Sequence, residues 1–262
     1  MTRPFHFCLK VFAISALVAS SCVSSASAEP LLGHNLTPTS NTLNAGQTMI
    51  GTYAIAYGFT DSLTVGTSPW LIVQYNMPAI SVKYAFPVNE VITRLQIEQL
   101  YLKTFDFGWD RYKQESIWTR ITASHRFDEH YTLHVNYGFQ YFWDDTVAFS
   151  MRPTPVHHTP VTMSFSTLSE ISFTDQFGIF AEAGILGLNY SNKYLQVGLS
   201  GFWKWSTGYI QLGVSRSYEI GPEYTTLADY TEWTNMYGVD RHSIFKYTRN
   251  PFHPELQLEF LF

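Results

Sequence analysis

Nine ionisable residues of this 262-residue chain fall where an alternating chain would turn them to one side. Lys83, Arg94, Glu98, Arg120, Arg126 and His134 come first; Glu170, Glu182 and Glu259 follow. Charges gathered in a confined space are costly unless they pair or stay hydrated. Two kinds of chemistry are therefore open to them. One is a salt-bridged interior that stiffens the fold, and the other is a small water-filled passage whose charged walls orient a polar solute. A second set lies in polar links. Asp144-Asp145 and His157-His158 offer ligands of metal-binding type, although adjacent histidines in a loop are ordinarily solvated. Neither a metal nor another cofactor is expected.

The elements that would position the nine are strands. Residues 131–143, YTLHVNYGFQYFW, put Tyr131, Leu133, Val135, Tyr137, Phe139, Tyr141 and Trp143 on one face and Thr132, His134, Asn136, Gly138 and Gln140 on the other. A helix would scatter that apolar set around its circumference, whereas a strand collects it. The same period predicts strands at 45–59, 62–68, 79–86, 91–102, 115–127, 161–173, 177–187, 193–204, 207–217 and 253–262. Five connections are tight: Thr60-Asp61-Ser62, Pro87-Val88-Asn89-Glu90, Asp128-Glu129-His130, Thr174-Asp175-Gln176 and Lys204-Trp205-Ser206. Longer links alternate with them, near 69–78, 103–115, 144–160, 188–192 and 218–250.

Composition limits the solvent this sheet can face. Charged residues make up 14% of the chain, against about 25% in an ordinary globular domain, while aromatic residues reach 17%. No stretch after the first thirty residues offers the roughly 20 apolar residues of a spanning helix. Residues 1–28 read as a cleaved signal peptide: Arg3 and Lys10, then the apolar VFAISALVA, then Ala26-Ser27-Ala28. Lipidation at Cys22 is the competing reading, but Ala19-Ser20-Ser21 lacks the leucine usual three places upstream. Both cysteines, Cys8 and Cys22, lie inside the signal. The mature chain, residues 29–262, is then one domain without disulfides or a cysteine nucleophile. Without Arg3 and Lys10 it has 14 basic against 21 acidic residues, so no basic stripe recommends nucleic acid.

Short turns at one end and long links at the other are the layout of an all-β, transmembrane, antiparallel up-and-down barrel. A soluble lipocalin-like barrel would load its polar face with Lys and Glu. Here that face is Ser, Thr, Gly, Asn and Gln, including Thr162, Ser164, Ser166, Gln196, Gly198 and Ser200, which suits a narrow lumen. Eleven strands are predicted above, and single-chain barrels of this kind close with an even number. The twelfth is sought in HNLTPTSNTLNAG, residues 34–46, despite its Pro and Asn; ten strands is the alternative.

The terminal PELQLEFLF supplies a resemblance. Leu256, Leu258, Phe260 and Phe262 alternate and end on Phe, which resembles the last strand of Gram-negative outer-membrane β-barrel proteins. The stretch GTYAIAYGFTDSLTVG also looks like the first hairpin of several barrels in that class. The resemblance covers the mature chain but points to no functionally defined subfamily. It implies residence in the outer membrane among its lipids, and a C-terminal strand read by the barrel assembly machinery. Outer-membrane proteases of that class use paired Asp residues and an Asp/His couple, to which Asp144-Asp145 and Asp240-Arg241-His242 bear a superficial likeness. Its lipases and deacylases need a Ser/His pair, often His-x-Ser. His125 is followed by Arg126-Phe127, and His242-Ser243 are adjacent, so neither fits. No enzyme activity is expected.

The link at 218–250 is rich in aromatics, with Tyr230, Trp233 and Tyr237 at its centre. It is expected to form a lid, a recognition surface or a small aromatic core above the barrel. Taken together, the chain is expected to be a narrow channel or transporter for small polar solutes. The alternative is a non-conducting structural or recognition barrel that binds a partner through its loops.

Overall fold

The computed structural model describes residues 37–75, 78–103, 115–143, 161–189, 193–220 and 253–262. The segment read as a signal peptide lies outside them. The described residues form twelve strands: β1 (Thr48–Gly51), β2 (Ile55–Thr60), β3 (Leu63–Thr67), β4 (Ala79–Pro87), β5 (Arg94–Lys103), β6 (Glu115–Arg126), β7 (Tyr131–Phe142), β8 (Val161–Ser172), β9 (Phe177–Leu186), β10 (Lys193–Trp205), β11 (Gly208–Ile220) and β12 (His253–Leu261). Each pairs antiparallel with the next, and β12 returns to β1 to close an up-and-down barrel. Among the described residues a single short helix, α1 (Pro69–Tyr75), lies in the link between β3 and β4.

Twelve strands are present, but the first two are not those expected. The predicted strand at 45–59 is broken by a turn at Thr52-Tyr53-Ala54, where the Gly51 N–H donates to the Ala54 carbonyl at 2.9 Å. The break is visible as a change of phase: Met49 and Gly51 are buried before it, Ala54, Ala56 and Gly58 after it. A continuous strand would have kept one parity. The described part of the segment proposed as the twelfth strand, residues 37–46, is not a strand. It runs inside the barrel, and Gly46, at φ 81°, helps turn it into β1. Here the Gly46 N–H donates to the Gly58 carbonyl at 2.8 Å and the Gly58 N–H to the Gln47 carbonyl at 2.9 Å.

Polarity is inverted relative to a water-soluble barrel. Gln96, Thr122, Asn136, Ser166, Gln211 and Gln257 are buried in the interior, while Ile80, Ile97, Phe139, Phe165, Leu199, Leu212 and Leu256 are exposed on the outer wall. Outward aromatics pair near the tight turns, as in Phe127–Tyr131 and Phe173–Phe177, with ring centroids 5.1 and 5.7 Å apart. At the other end Tyr101 and Tyr141 both meet Trp143, at 6.2 and 5.5 Å. The interior also holds small apolar clusters, including Phe180 against Phe202 and Leu168 on the β8–β10 wall.

Candidate functional site

The register of β4, β5 and β6 sets Lys83 opposite Glu98 and Glu98 opposite Arg120. All three share the inward parity, so the sheet itself builds a row of alternating charge across the wall. Arg120 Nη2 lies 2.8 Å from Glu98 Oε2, and Gln96 Nε2 donates to the same oxygen at 3.3 Å. The Arg120 guanidinium also sits 4.9 Å above the Trp118 ring. On β7 the residue facing Arg120 is Gly138, and a Cβ there would crowd the Ser164 hydroxyl and Trp118 Nε1.

A second row climbs from Arg94 through Ser124 and His134 to Leu168 and Glu182, on five consecutive strands. Ser124 Oγ is 2.6 Å from His134 Nδ1, and His134 Nε2 is 3.3 Å from Glu170 Oε2. These are the residue types of a serine nucleophile relay. However, Ser124 is 3% exposed and His134 1%, so an ester cannot reach the hydroxyl without displacing its neighbours. In this state the three form a buried hydrogen-bond chain between β6, β7 and β8.

Residues 37–43 occupy the space between these rows, and four walls hold them. The Thr37 N–H donates to Glu182 Oε1 at 2.6 Å on β9. Lys83 Nζ on β4 donates to the Thr39 and Asn41 carbonyls, each at 3.3 Å. Arg94 Nη2 on β5 donates to Thr42 Oγ1 at 2.8 Å, and the Leu43 N–H donates to Thr64 Oγ1 at 2.9 Å on β3. Thr37, Thr39, Ser40 and Leu43 are buried. The small side chains of TPTSNT let the segment lie against the wall without overfilling the interior. Its end is fixed at the tight-turn rim, where Thr42 Oγ1 donates to the Asp61 carbonyl at 2.7 Å.

Of the nine charges singled out in the sequence, Lys83, Glu98, His134, Glu182 and Glu259 are buried, and Arg94, Arg120 and Glu170 are half-buried. Arg126 shares their parity but ends β6, so its side chain is exposed at the rim, where Nε donates to the Asp128 carbonyl at 3.0 Å. Glu259 stands apart from the other charges: it serves the closing seam, with Oε1 accepting from the Tyr53 N–H at 2.9 Å. Along β12, Leu256 is exposed and Leu258 half-buried, while Gln257 and Glu259 point inward. Phe260 packs against Trp205, and Phe262 exchanges backbone hydrogen bonds with Thr48. The sequence reading did not single out Ser124, Thr64 or the segment 37–43. For that segment the available sign was the Pro and Asn content that made residues 34–46 a poor strand. Tyr230, Trp233, Tyr237, Asp144-Asp145, His157-His158 and Asp240-Arg241-His242 lie outside the described residues.

Among the described residues no three His, Asp or Glu side chains converge to hold a metal ion. No protein-family model matches the chain, and no curated protein matches it. The class of the molecule, a closed twelve-strand β-barrel, therefore rests on its own geometry.

Proposed function

We propose that the protein is an integral outer-membrane β-barrel of a Gram-negative bacterium, exported by residues 1–28, that acts as a narrow channel for small polar solutes. The observation that carries the membrane half of this reading is the inverted wall, with Leu199, Leu212 and Phe165 outside and Gln96, Asn136 and Ser166 inside. Apolar atoms on the outer wall and polar atoms within are what a lipid solvent and a wet lumen select. The Leu256, Leu258, Phe260 and Phe262 pattern supports recognition by the barrel assembly machinery, and loop residues Tyr230, Trp233 and Tyr237 are candidates for a lid or recognition surface.

The channel half is supported by the charged rows on β4–β6 and β5–β9, which give a solute opposed polar walls. With residues 37–43 in place the passage is narrowed by the chain itself, and conduction follows from their displacement. The same segment also favours a second reading, a permanently closed barrel whose loops bind a partner. The Ser124–His134 side-chain contact is shut from solvent in this structure, so it lends no support to a hydrolytic reading.

Planar-bilayer recording separates the two readings. For a channel, purified protein gives small openings that become longer or more frequent in Lys83→Met, which releases two carbonyls of the segment, and selectivity changes in Arg94→Ala. Folded protein that is silent in the parent and in both variants defeats the channel and leaves the closed barrel.

A further inference from the structure

Glu182, Lys83 and Thr64 all reach the main chain of residues 37–43. Glu182 accepts from the Thr37 N–H, Lys83 donates to the carbonyls of Thr39 and Asn41, and Thr64 Oγ1 accepts from the Leu43 N–H. Arg94 and the Asp61 carbonyl reach a side chain, the Thr42 hydroxyl. The carbonyls of Thr39 and Asn41, on either side of a bend at Ser40, converge on one ammonium. β4 and β9, which carry Lys83 and Glu182, are five strands apart around a ring of twelve. The contacts therefore grip the segment from nearly opposite walls.

We propose that Glu182, Lys83, Arg94 and Thr64 form a binding site for an uncharged polar peptide, and that the chain's own residues 37–43 occupy it as a tethered stand-in. The chemistry defines the ligand. Its backbone offers an N–H to a carboxylate, two alternate carbonyls to an ammonium, and a second N–H to a hydroxyl. Its side chains are as small as Thr and Ser where the wall is close, because Thr37, Thr39 and Ser40 are buried. A charged or bulky residue at the position of Ser40 would have to displace the surrounding side chains. Main-chain recognition of this kind is indifferent to most of the sequence, as when a peptide adds to a sheet edge. Tethering keeps the site filled, since a short linker holds its segment at an effective concentration on the order of millimolar. An untethered peptide then competes only when the segment is loosened or the peptide is comparably concentrated.

The site stands without the channel reading, and the test avoids conductance. Ser40→Trp evicts the segment while leaving all four wall groups intact. A fluorescent peptide TPTSNTL, copied from residues 37–43, is titrated by anisotropy into detergent-solubilised protein whose fold is checked by circular dichroism. The expected result is weak or absent binding to the parent and saturable binding to Ser40→Trp. Adding Glu182→Gln to that background weakens binding by about tenfold, the size of one lost charge-assisted hydrogen bond, and adding Lys83→Met, which removes two, weakens it by at least about tenfold. Should Ser40→Trp fail to fold, Thr37→Pro replaces it, which removes the N–H given to Glu182 and the Thr37 hydroxyl but leaves all four wall groups in place. In parallel, Ser40→Cys in the otherwise cysteine-free mature chain is treated with a charged maleimide. It is protected at rest and labelled faster as free peptide is added. Folded, loosened protein that ignores millimolar peptide, or binding untouched by Lys83→Met and Glu182→Gln, overturns the proposal. Peptide binding by a barrel that never conducts upholds it and removes the channel instead.

Discussion

The carboxylate of Glu259 lies where a side chain on Gly51 would stand: a Cβ built on Gly51 meets Glu259 Oε2 and the Leu258 carbonyl. Glu259 is 0% exposed, and it spends its other oxygen on the Tyr53 N–H of the turn between β1 and β2. The first and last strands pair over only Met49–Leu261, Ile50–Phe260 and Gly51–Glu259, so this contact braces a short seam. Glu259→Ala leaves the half-buried Tyr53 N–H without its acceptor and is expected to destabilise by about 1–3 kcal/mol. Gly51→Ala is expected to cost a similar ~1–3 kcal/mol by overpacking. Guanidinium unfolding in detergent micelles, followed by tryptophan fluorescence, checks both. Gly51→Ala combined with Glu259→Ala should be less damaging than the sum of the two, because the second change clears the space the first needs.

Glu98 and Arg120 make the closest ion pair among the described interior charges, at 2.8 Å, with side chains 8% and 14% exposed. Removing one partner of such a pair strands the other charge and costs about 3–5 kcal/mol. Glu98→Gln is therefore expected to lower stability severely, the more so because Lys83 on β4 and Arg120 on β6 are then left on either side of β5 without the intervening carboxylate. The double variant Glu98→Gln with Arg120→Gln should recover much of the loss. A double-mutant cycle from urea unfolding measures the coupling, and two independent, additive effects would show that the pair is not coupled.

The regular part of the fold could be read in advance because strands write their facing directly into the chain. In β7 every second residue from Tyr131 to Tyr141 looks out, and His134 and Asn136 look in. Once that parity is known, Lys83, Glu98 and Glu182 are placed without any tertiary information. Parity gives no register, however, and it is register that sets Ser124 beside His134 and Glu98 beside Arg120. The segment 37–43 was unreadable for a different reason. It makes no periodic pattern, and its partners on β3, β4, β5 and β9 are long-range in sequence. Only its poor fit to a strand marked it out.

The hydrogen-bond chain Ser124–His134–Glu170 predicts structural rather than catalytic behaviour in the resting protein. Ser124→Ala removes one partner of a histidine that is 1% exposed and is expected to cost about 1–3 kcal/mol. Treatment of the folded parent with a fluorophosphonate probe should leave it unlabelled. Stoichiometric labelling that disappears in Ser124→Ala would reverse this assignment and reopen hydrolysis as a function.

The lipid reading makes the outer wall sensitive to charge in a way a soluble barrel would not be. Leu199 lies midway along β10 and is 54% exposed. On a wall in water, Leu199→Lys would change stability by less than about 0.5 kcal/mol, as surface substitutions usually do. On a wall in the bilayer core the same change costs about 2–4 kcal/mol, falling toward the interfaces. Folding into phospholipid vesicles, compared with folding in the presence of a short-chain detergent, distinguishes these cases. Equal yields for parent and variant in both would count against a membrane-spanning wall.

Phe262 combines two roles that a pair of variants can pull apart. Its backbone N–H donates to the Thr48 carbonyl at 2.9 Å and its carbonyl accepts from the Thr48 N–H at 3.0 Å. Closure of the barrel thus uses the main chain of the last residue, while the proposed assembly signal uses its ring. Phe262→Ala keeps both hydrogen bonds. It is expected to fold from urea into detergent with a stability within about 1 kcal/mol of the parent, since the ring is only half-buried. In cells its yield in the outer membrane should fall several-fold. Deletion of Phe262 removes ring and hydrogen bonds together and should weaken the barrel in both settings, because the seam with β1 is already short. Parent-like membrane yields for Phe262→Ala would show that the ring is not what the assembly machinery reads. Refolding failure of that variant in detergent would instead place the ring's contribution in the barrel itself.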